Sequence, residues 1–287
     1  MNEPSAGLNP ADVDLLLTVA GIQPKDRTEV AALLLGEPSA EARRALAELQ
    51  SRLGVVGAPV LPEGVASDHQ WLWALMAFIP EQLQWYASQG IPEQVAHESL
   101  ADIGRQLAVS RVVKGEFSLE TWKWLGHQAT GTLLQLGRLQ FQICPGPEDL
   151  PGIRPGEAVL ETHIPESGPL SVEAVADSFR QAGTFFAEHF PALPVRFATC
   201  TSWLLDPYLA DRLGERSNIT RFARLFTLWG GLEDTPGDAV YFTFRTRDAA
   251  DLALAPRETS LQRTVLERIE AGGQWQVGRG YLELDRF

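Results

Sequence analysis

Residues 158–229 constrain the fold of this chain more than any other segment. Val159–Ile164 predicts a strand, and a turn with two prolines leads from it into an amphipathic helix over residues 172–190. Residues 195–205, VRFATCTSWLL, then predict a second strand. A strand–loop–helix–strand order places main-chain N–H groups at a helix N-terminus, which is a favourable site for anions. The segment therefore predicts an α/β unit that can hold the phosphates of a nucleotide or coenzyme.

The apolar periodicity changes along the chain from helical to extended near residues 126–137. Before this point the pattern predicts helices only, and after it strands alternate with helices. We therefore predict an α+β protein, with an all-helical N-terminal domain over residues 1–130 and a mixed β-sheet domain flanked by helices over residues 131–287. The first helix predicted in this domain is capped by Asn9 and starts at Pro10, and a second covers residues 27–35. Ser39 caps a third, which Gly54 terminates. The others cover residues 68–90 with a break near Pro80, 92–112 and 121–136.

The second domain has weaker but consistent strand patterns. Besides the two strands named above, residues 138–143, 239–246 and 278–284 are rich in apolar residues at strand spacing. Residues 219–229 and 260–270 predict helices.

Composition and charge exclude several function classes. The formal net charge is −13 and no basic tail or basic face is present, which argues against a nucleic-acid partner. No window has 18 uncharged apolar residues, so we expect no membrane span. The first residues carry no secretory signal pattern, and two cysteines cannot form a disulfide framework. These features predict a cytoplasmic protein.

Aromatic residues and histidines in the first domain have two interpretations. A stripe of tryptophans at helical spacing, together with Phe78, could line an acyl or ligand pocket, although such a stripe more often fills a helical core. His69, His97 and His127 have no second ligand at metal-binding spacing, so we predict no metal site.

Five segments of the second domain carry a family resemblance: Gly137–Phe141, Thr162–Pro165 with Gly168, Cys200–Leu205, Ser217–Ile219 with Phe222, and Thr259–Gln262. The strings CTSWLL and THIP are the most specific part of it. In these segments the domain resembles the GNAT-like C-terminal domain that follows a helical domain in bacterial acyltransferases.

The resemblance implies a fold and a cosubstrate. An acyl-coenzyme A (acyl-CoA) would bind where two central parallel strands splay apart, and its acyl group would pass directly to a small acceptor, an amine, without a metal. Laid onto this sequence, the main chain at Ser167, Gly168, Leu170 and Ser171 would face the pyrophosphate. Arg216 and Arg221 are the first candidates for the balancing positive charge.

The loop departs from the usual GNAT phosphate-loop pattern. Pro169 lacks a main-chain donor, and the Glu166 carboxylate would repel phosphate. This departure leaves open a second hypothesis, that the domain is a catalytically inactive GNAT-like ligand-binding module.

Three residues are candidates for chemistry. His163, near a strand end and on the same strand face as Glu161, has the properties of a general base with an orienting carboxylate. Ser202 lies near the C-terminal end of the other strand, where ligands commonly bind in α/β sheets. Tyr208 opens the next helix, and the resemblance implies that a tyrosine there protonates the leaving thiolate. Each of the three is also common in purely structural roles.

A Cys–His hydrolase or transferase that uses Cys200 with His163 is a further alternative. It would need an electropositive environment for the thiolate. The acyl chain length, the acceptor and the oligomeric state do not follow from the sequence.

Overall fold

The computed structural model describes residues 9–247 and 249–287, except for the side chains of residues 236 and 249–251. The chain divides into two compact units, one extending through Gln135 and the other beginning at Leu136. No helix among the described residues is long and apolar enough to cross a membrane.

Helices dominate the described part of the first unit up to the strand that leaves it. The prediction of an all-helical N-terminal domain is therefore confirmed in its coarser form, a domain rich in helices. Side chains cap several of these helices as the sequence predicts: Asn9 accepts from the Asp12 N–H, and Ser39 accepts from the Ala42 N–H. The helices are α1 (Pro10–Val19), α2 (Pro24–Leu35), α3 (Ala40–Gln50), α4 (Asp68–Ser88), α5 (Glu93–Leu100), α6 (Asp102–Lys114) and α7 (Trp122–Gln128).

The tryptophan stripe fills the core of this unit. The Trp71 ring is fully buried and stacks on Trp122, with 5.0 Å between ring centroids. Trp124 donates from Nε1 to the buried Asp102 carboxylate at 2.8 Å. Of the two interpretations, core packing is therefore the one that these contacts support.

Three helix predictions in the first unit need correction. Helix α4 runs through Pro80 without a break, because this proline lies on the exposed side of a helix that its buried neighbours hold in place. The predicted helix 92–112 is two helices that meet at Ala101, and the Gly104 main chain packs directly on Gly21. The predicted helix 121–136 ends at Gln128.

The second unit contains a mixed sheet flanked by helices, which confirms the α+β prediction. The strands lie in the order β1-β2-β3-β4-β7-β5, and β6 pairs with β7. The strands are β1 (Leu133–Leu136), which joins the units along the chain, β2 (Leu139–Pro145), β3 (Ala158–His163), β4 (Val195–Ser202), β5 (Thr227–Leu228), β6 (Glu233–Asp234) and β7 (Gln276–Glu283). The helices are α8 (Val172–His189), α9 (Pro207–Leu213), α10 (Asn218–Ala223), α11 (Pro236–Phe244) and α12 (Ser260–Glu270), with short 3-10 helices at Trp203–Leu205, Ala249–Leu254 and Leu284–Arg286.

Three predictions in this unit are also wrong in type or length. The sequence predicts a strand over residues 239–246, but residues 239–244 belong to α11, where Ala239, Val240 and Tyr241 are buried in succession. The predicted helix 219–229 is only the two turns of α10, after which the chain pairs with β7 as β5. The second predicted strand stops at Ser202 and continues as a 3-10 turn.

Candidate functional site

The two central strands of the sheet separate at their C-terminal ends. Strands β3 and β4 are parallel, and among the described residues their pairing ends at Glu161 and Thr199. Beyond this point each strand keeps its outer neighbour: Thr162 pairs with Phe141 on β2, and Cys200 pairs with Gly280 on β7. A gap therefore opens between the strands at the place where the resemblance implies a coenzyme.

Polar side chains occupy one sheet face beside this gap. Glu161 is the register partner of Gln142 and of Thr199, and His163 is the partner of Gln140, so these side chains project from the same face. Thr201, two residues after Thr199, belongs to it too. We call this the polar face, formed by Gln140, Gln142, Glu161, His163, Thr199 and Thr201.

The opposite face of the same strands is packed against α8. The rings of Phe141 and Phe179 meet edge to face, with centroids 5.4 Å apart. We call it the packed face, formed by Phe141, Ile143, Leu160, Ala198 and Leu282, all of which are buried. Because polar and apolar residues alternate along these strands, the same strands form both the polar face and the packed face.

Burial disfavours the charged forms of the Glu161 carboxyl and of its thiol neighbours. The Cys144 thiol donates to Glu161 Oε2 at 3.8 Å. Burial raises the pKa of Glu161, and burial together with the nearby Glu161 raises the pKa of Cys144 to about 12. The carboxyl group beside His163 on the polar face is therefore easier to protonate than an exposed glutamate.

Ser202 and Cys200 lie on the packed face, away from His163. The Ser202 hydroxyl accepts the Leu204 N–H at 3.1 Å and caps the 3-10 turn after β4. Cys200 is buried, and burial with the nearby Glu161 raises its thiol pKa. This environment disfavours a thiolate, and the strand alternation separates Cys200 from His163, so the geometry argues against the Cys–His alternative.

Arg138 holds the loop between β3 and α8 by hydrogen bonds to the loop's main chain. The Arg138 guanidinium donates to the carbonyl oxygens of Pro165 at 2.8 Å, Gly168 at 2.8 Å and Pro169 at 3.1 Å. Burial lowers the pKa of Arg138, and no described carboxylate forms an ion pair with it. Its positive charge therefore lies against the loop without a negative partner.

The loop presents main-chain donors at the start of α8. The N–H groups of Leu170, Ser171, Val172 and Glu173 have no acceptor among the residues that the structure describes. The Ser171 side chain instead caps the helix by accepting the Ala174 N–H at 3.2 Å. Such free donors at a helix N-terminus favour an anion.

Three loop residues have partners within the protein that the sequence does not predict. The Ser167 N–H, expected to face a phosphate, donates to the Pro165 carbonyl at 2.9 Å. Gly168 has a φ of +117°, a conformation that favours glycine, and its carbonyl binds Arg138. The Glu166 carboxylate, expected to repel phosphate, is paired with Arg245 at the C-terminal end of α11.

A mainly apolar cavity of about 460 Å³ lies beside this loop. The first turns of α8 and the helix α10 form its walls, and it contains two arginines. Arg221 has no ion-pair partner among the described residues, whereas Arg224 pairs with Glu215 at 3.2 Å. Arg216, the other predicted phosphate ligand, is exposed and does not line the cavity. The lining residues are Leu170, Val172, Val175, Ala176, Arg221, Phe222, Arg224, Leu225 and Phe287.

Tyr208 lies in an aromatic and cationic cluster at the start of α9. Its ring meets Trp275 edge to face at 5.8 Å, and the Arg268 guanidinium stacks over it at 4.4 Å. Arg268 in turn donates to the buried Asp206 at 2.5 Å. Among the described residues, no hydrogen bond or ring contact joins Tyr208 to His163 or Ser202.

Comparison with protein families identifies both halves of the chain. Residues 11–131 match the N-acyltransferase N-terminal domain, and residues 133–282 match the GNAT-like C-terminal domain. The chain belongs to the GNAT-like N-acyltransferase family. Comparison with curated protein sequences gave no match.

Solved acyltransferase structures share the fold of the whole chain. An acyltransferase in complex with decanoyl-CoA is 30% identical, with a TM-score of 0.84 over 98% of this chain and 90% of that chain. An acyltransferase in complex with decanoyl-CoA and teicoplanin is 28% identical, with a TM-score of 0.81 over 99% and 91%. A third complex, with CoA and 10C-teicoplanin, is 28% identical, with a TM-score of 0.80 over 99% and 91%.

Within this family fold, sequence reasoning missed Arg138, Gln140 and Arg245. Arg138 and Gln140 could have been found from the sequence. Antiparallel pairing of residues 138–143 with the next strand places Arg138 beside the loop and Gln140 opposite His163. Arg245 could not be found, since α11 was expected to be a strand. No group of residues able to hold a metal ion occurs in the described part of the chain.

Proposed function

We propose that this protein transfers an acyl group from acyl-CoA directly to an amine. The observation that carries the proposal is the separation of β3 and β4 beside a polar face that contains His163. The acyl-CoA complexes of similar acyltransferases support the donor. The teicoplanin complexes support an amine on a molecule larger than a simple alkylamine as the acceptor.

The phosphates of CoA would bind at the β3–α8 loop. Free N–H groups at the start of α8 provide donors, and Arg138 provides a charge that no described carboxylate neutralises. Arg221, at the cavity beside Leu170, would add a second cation. Pairing with Arg245 removes much of the repulsion that Glu166 would exert on a phosphate. The Ser167 N–H, already bonded within the loop, would contribute least.

The transfer would take place beside His163. The amine nitrogen attacks the thioester carbon, a C–N bond forms, and the C–S bond breaks. His163 accepts the proton that the amine loses, and Tyr208 supplies a proton to the CoA thiolate. Because this transfer is direct, neither Cys200 nor Ser202 is needed as a nucleophile.

The test is an assay of decanoyl-CoA with a panel of amines, followed by mass spectrometry of the N-acyl product. We expect acceptor-dependent product together with stoichiometric release of CoA. Binding of decanoyl-CoA, followed by tryptophan fluorescence, without product from any amine would contradict the enzymatic proposal. That result would favour the ligand-binding module, for which the atypical loop with Pro169 is the supporting observation.

A further inference from the structure

The buried amide of Gln140 is the feature of the polar face that the proposed function leaves unexplained. Gln140 has 1% of its surface exposed, and its Nε2 has no hydrogen-bond acceptor among the described residues. Buried polar groups in folded proteins nearly always have a partner, because an unpaired donor costs free energy. A donor left unpaired in the free protein is therefore a candidate for a ligand contact.

The position of this amide relates it to the reaction. Gln140 and His163 are direct partners across the antiparallel pair of β2 and β3. The Cβ atoms of such a pair lie about 4.5–5.5 Å apart on the same face of the sheet. A general base lies within about 3 Å of the amine nitrogen, and this nitrogen lies about 3–3.5 Å from the thioester carbon that it attacks. The thioester oxygen is bonded to that carbon, so it would lie within reach of a side chain next to the base.

We propose that Gln140 is a catalytic residue whose Nε2–H donates a hydrogen bond to the thioester oxygen. As the C–N bond forms, the electron pair of the C=O bond moves to this oxygen. As the C–S bond breaks, the pair returns and the amide product forms. Gln140 stabilises the negative charge between these two events, and its neutral amide keeps the donor at any working pH. This inference rests on the proposed function.

The chemistry of the neighbouring side chains favours Gln140 for this role. Glu161 accepts a hydrogen bond from the half-buried Cys144 thiol, and its carboxyl is a donor only when it is protonated, whereas the Gln140 amide is a donor at every pH. The Thr162 hydroxyl is also buried without a partner, but it lies on the packed face. Gln142 is opposite Glu161 instead of His163, so it is one residue pair further from the reacting amine.

The test is Gln140→Met, which keeps the length of the side chain and removes the donor. We expect kcat to fall about 10²- to 10³-fold, with the KM of the amine, the Kd of decanoyl-CoA and the pH dependence of kcat unchanged. The melting temperature should stay the same or rise, because the substitution removes an unpaired buried group. Gln140→His, which retains an N–H donor, should recover part of the rate.

Gln142→Met is the matched control, because it makes the same change two residues along the strand and should cost less than Gln140→Met. An unchanged kcat in Gln140→Met would overturn the inference. A rise in the KM of the amine without a change in kcat, or a shifted pH profile of kcat, would also overturn it. The same holds if the Met and His variants both melt at a lower temperature and lose activity in proportion to the loss of folded protein. A wild-type protein that acylates no amine would instead overturn the proposed function, and this inference with it.

Discussion

The two faces of the central sheet use the same strands for opposite purposes. On the packed face, apolar side chains such as Phe141 and Leu160 are buried against one another and against α8. On the polar face, Gln140, Glu161 and His163 lie at the alternate positions of the same strands. Neighbours in sequence therefore belong to different environments, and a single substitution can address one face without directly changing the other.

The difference between the faces shows where the second unit gains stability and where it loses it. Apolar burial on the packed face stabilises the fold. On the polar face, Nε2 of Gln140 is buried with no acceptor among the described residues, and burial raises the pKa of the Glu161 carboxyl. Both features cost stability in the free protein, which is the pattern expected of a site arranged for a substrate.

Removal of the imidazole from the polar face should have the largest effect. His163→Ala should lower kcat about 10²- to 10⁴-fold, because a general base would be lost. The melting temperature should change little, and the acidic limb of the wild-type pH–rate profile should disappear. Measured kcat equal to that of the wild type would show that the polar face does not contain the base.

A cavity on the packed face should produce the converse result. Phe141→Ala should lower the free energy of unfolding by about 3–5 kcal/mol, because the ring is buried and contacts Phe179. Chemical denaturation measures the loss, and kcat per folded molecule should remain close to wild type. A catalytic defect that persists in fully folded Phe141→Ala would show that the two faces are not separable.

The loop arginine should affect binding more than chemistry. Arg138→Gln should raise the Kd of decanoyl-CoA about 10- to 100-fold. The substitution removes the charged hydrogen bonds that fix the loop, and it also removes the positive charge beside the loop. Fluorescence titration measures the change. Arg180→Gln, on the exposed side of α8 where the arginine pairs with Asp177, is the control and should bind normally.

The Glu161 carboxyl should give the smallest effect, seen as a pH dependence of stability. Because burial raises its pKa in the folded state, the folded protein binds this proton more tightly than the unfolded chain does. Its cost is absent below the unfolded pKa of about 4.5 and grows as the pH rises through the higher folded value. Glu161→Gln should therefore stabilise the protein at pH 7, and the gain should shrink toward pH 4.5 in denaturation curves.

The parts of the fold that the sequence predicts well are those with strong local signals. Helix α12 has the bounds that its periodicity predicts, Ser260–Glu270, and the strand–loop–helix–strand order of residues 159–205 follows from the change between strand and helix periodicity. For residues 239–246 the sequence predicts a strand, because periodicity cannot distinguish a short apolar run in a strand from one in a buried helix. The packing of this run in the folded protein, which the sequence does not show, makes residues 239–244 helical.

The candidate site was predictable only in its individual residues. His163 and the loop are visible as motifs, whereas the partners that define their environment come from other strands and helices. The pairing of Gln140 with His163 and that of Glu166 with Arg245 depend on register and on α11. Its place near a strand end predicts Ser202 as a site residue, but the alternation along β4 places it on the packed face.

The most direct test of the account is a single-turnover reaction of excess protein with decanoyl-CoA and an amine, followed by intact-protein mass spectrometry. Wild-type and Cys200→Ala proteins should form the N-decanoyl amine at similar rates, and neither should carry a decanoyl group at any time point. A decanoyl adduct on the wild-type protein that is absent from Cys200→Ala, together with loss of product in that variant, would contradict direct transfer at the polar face.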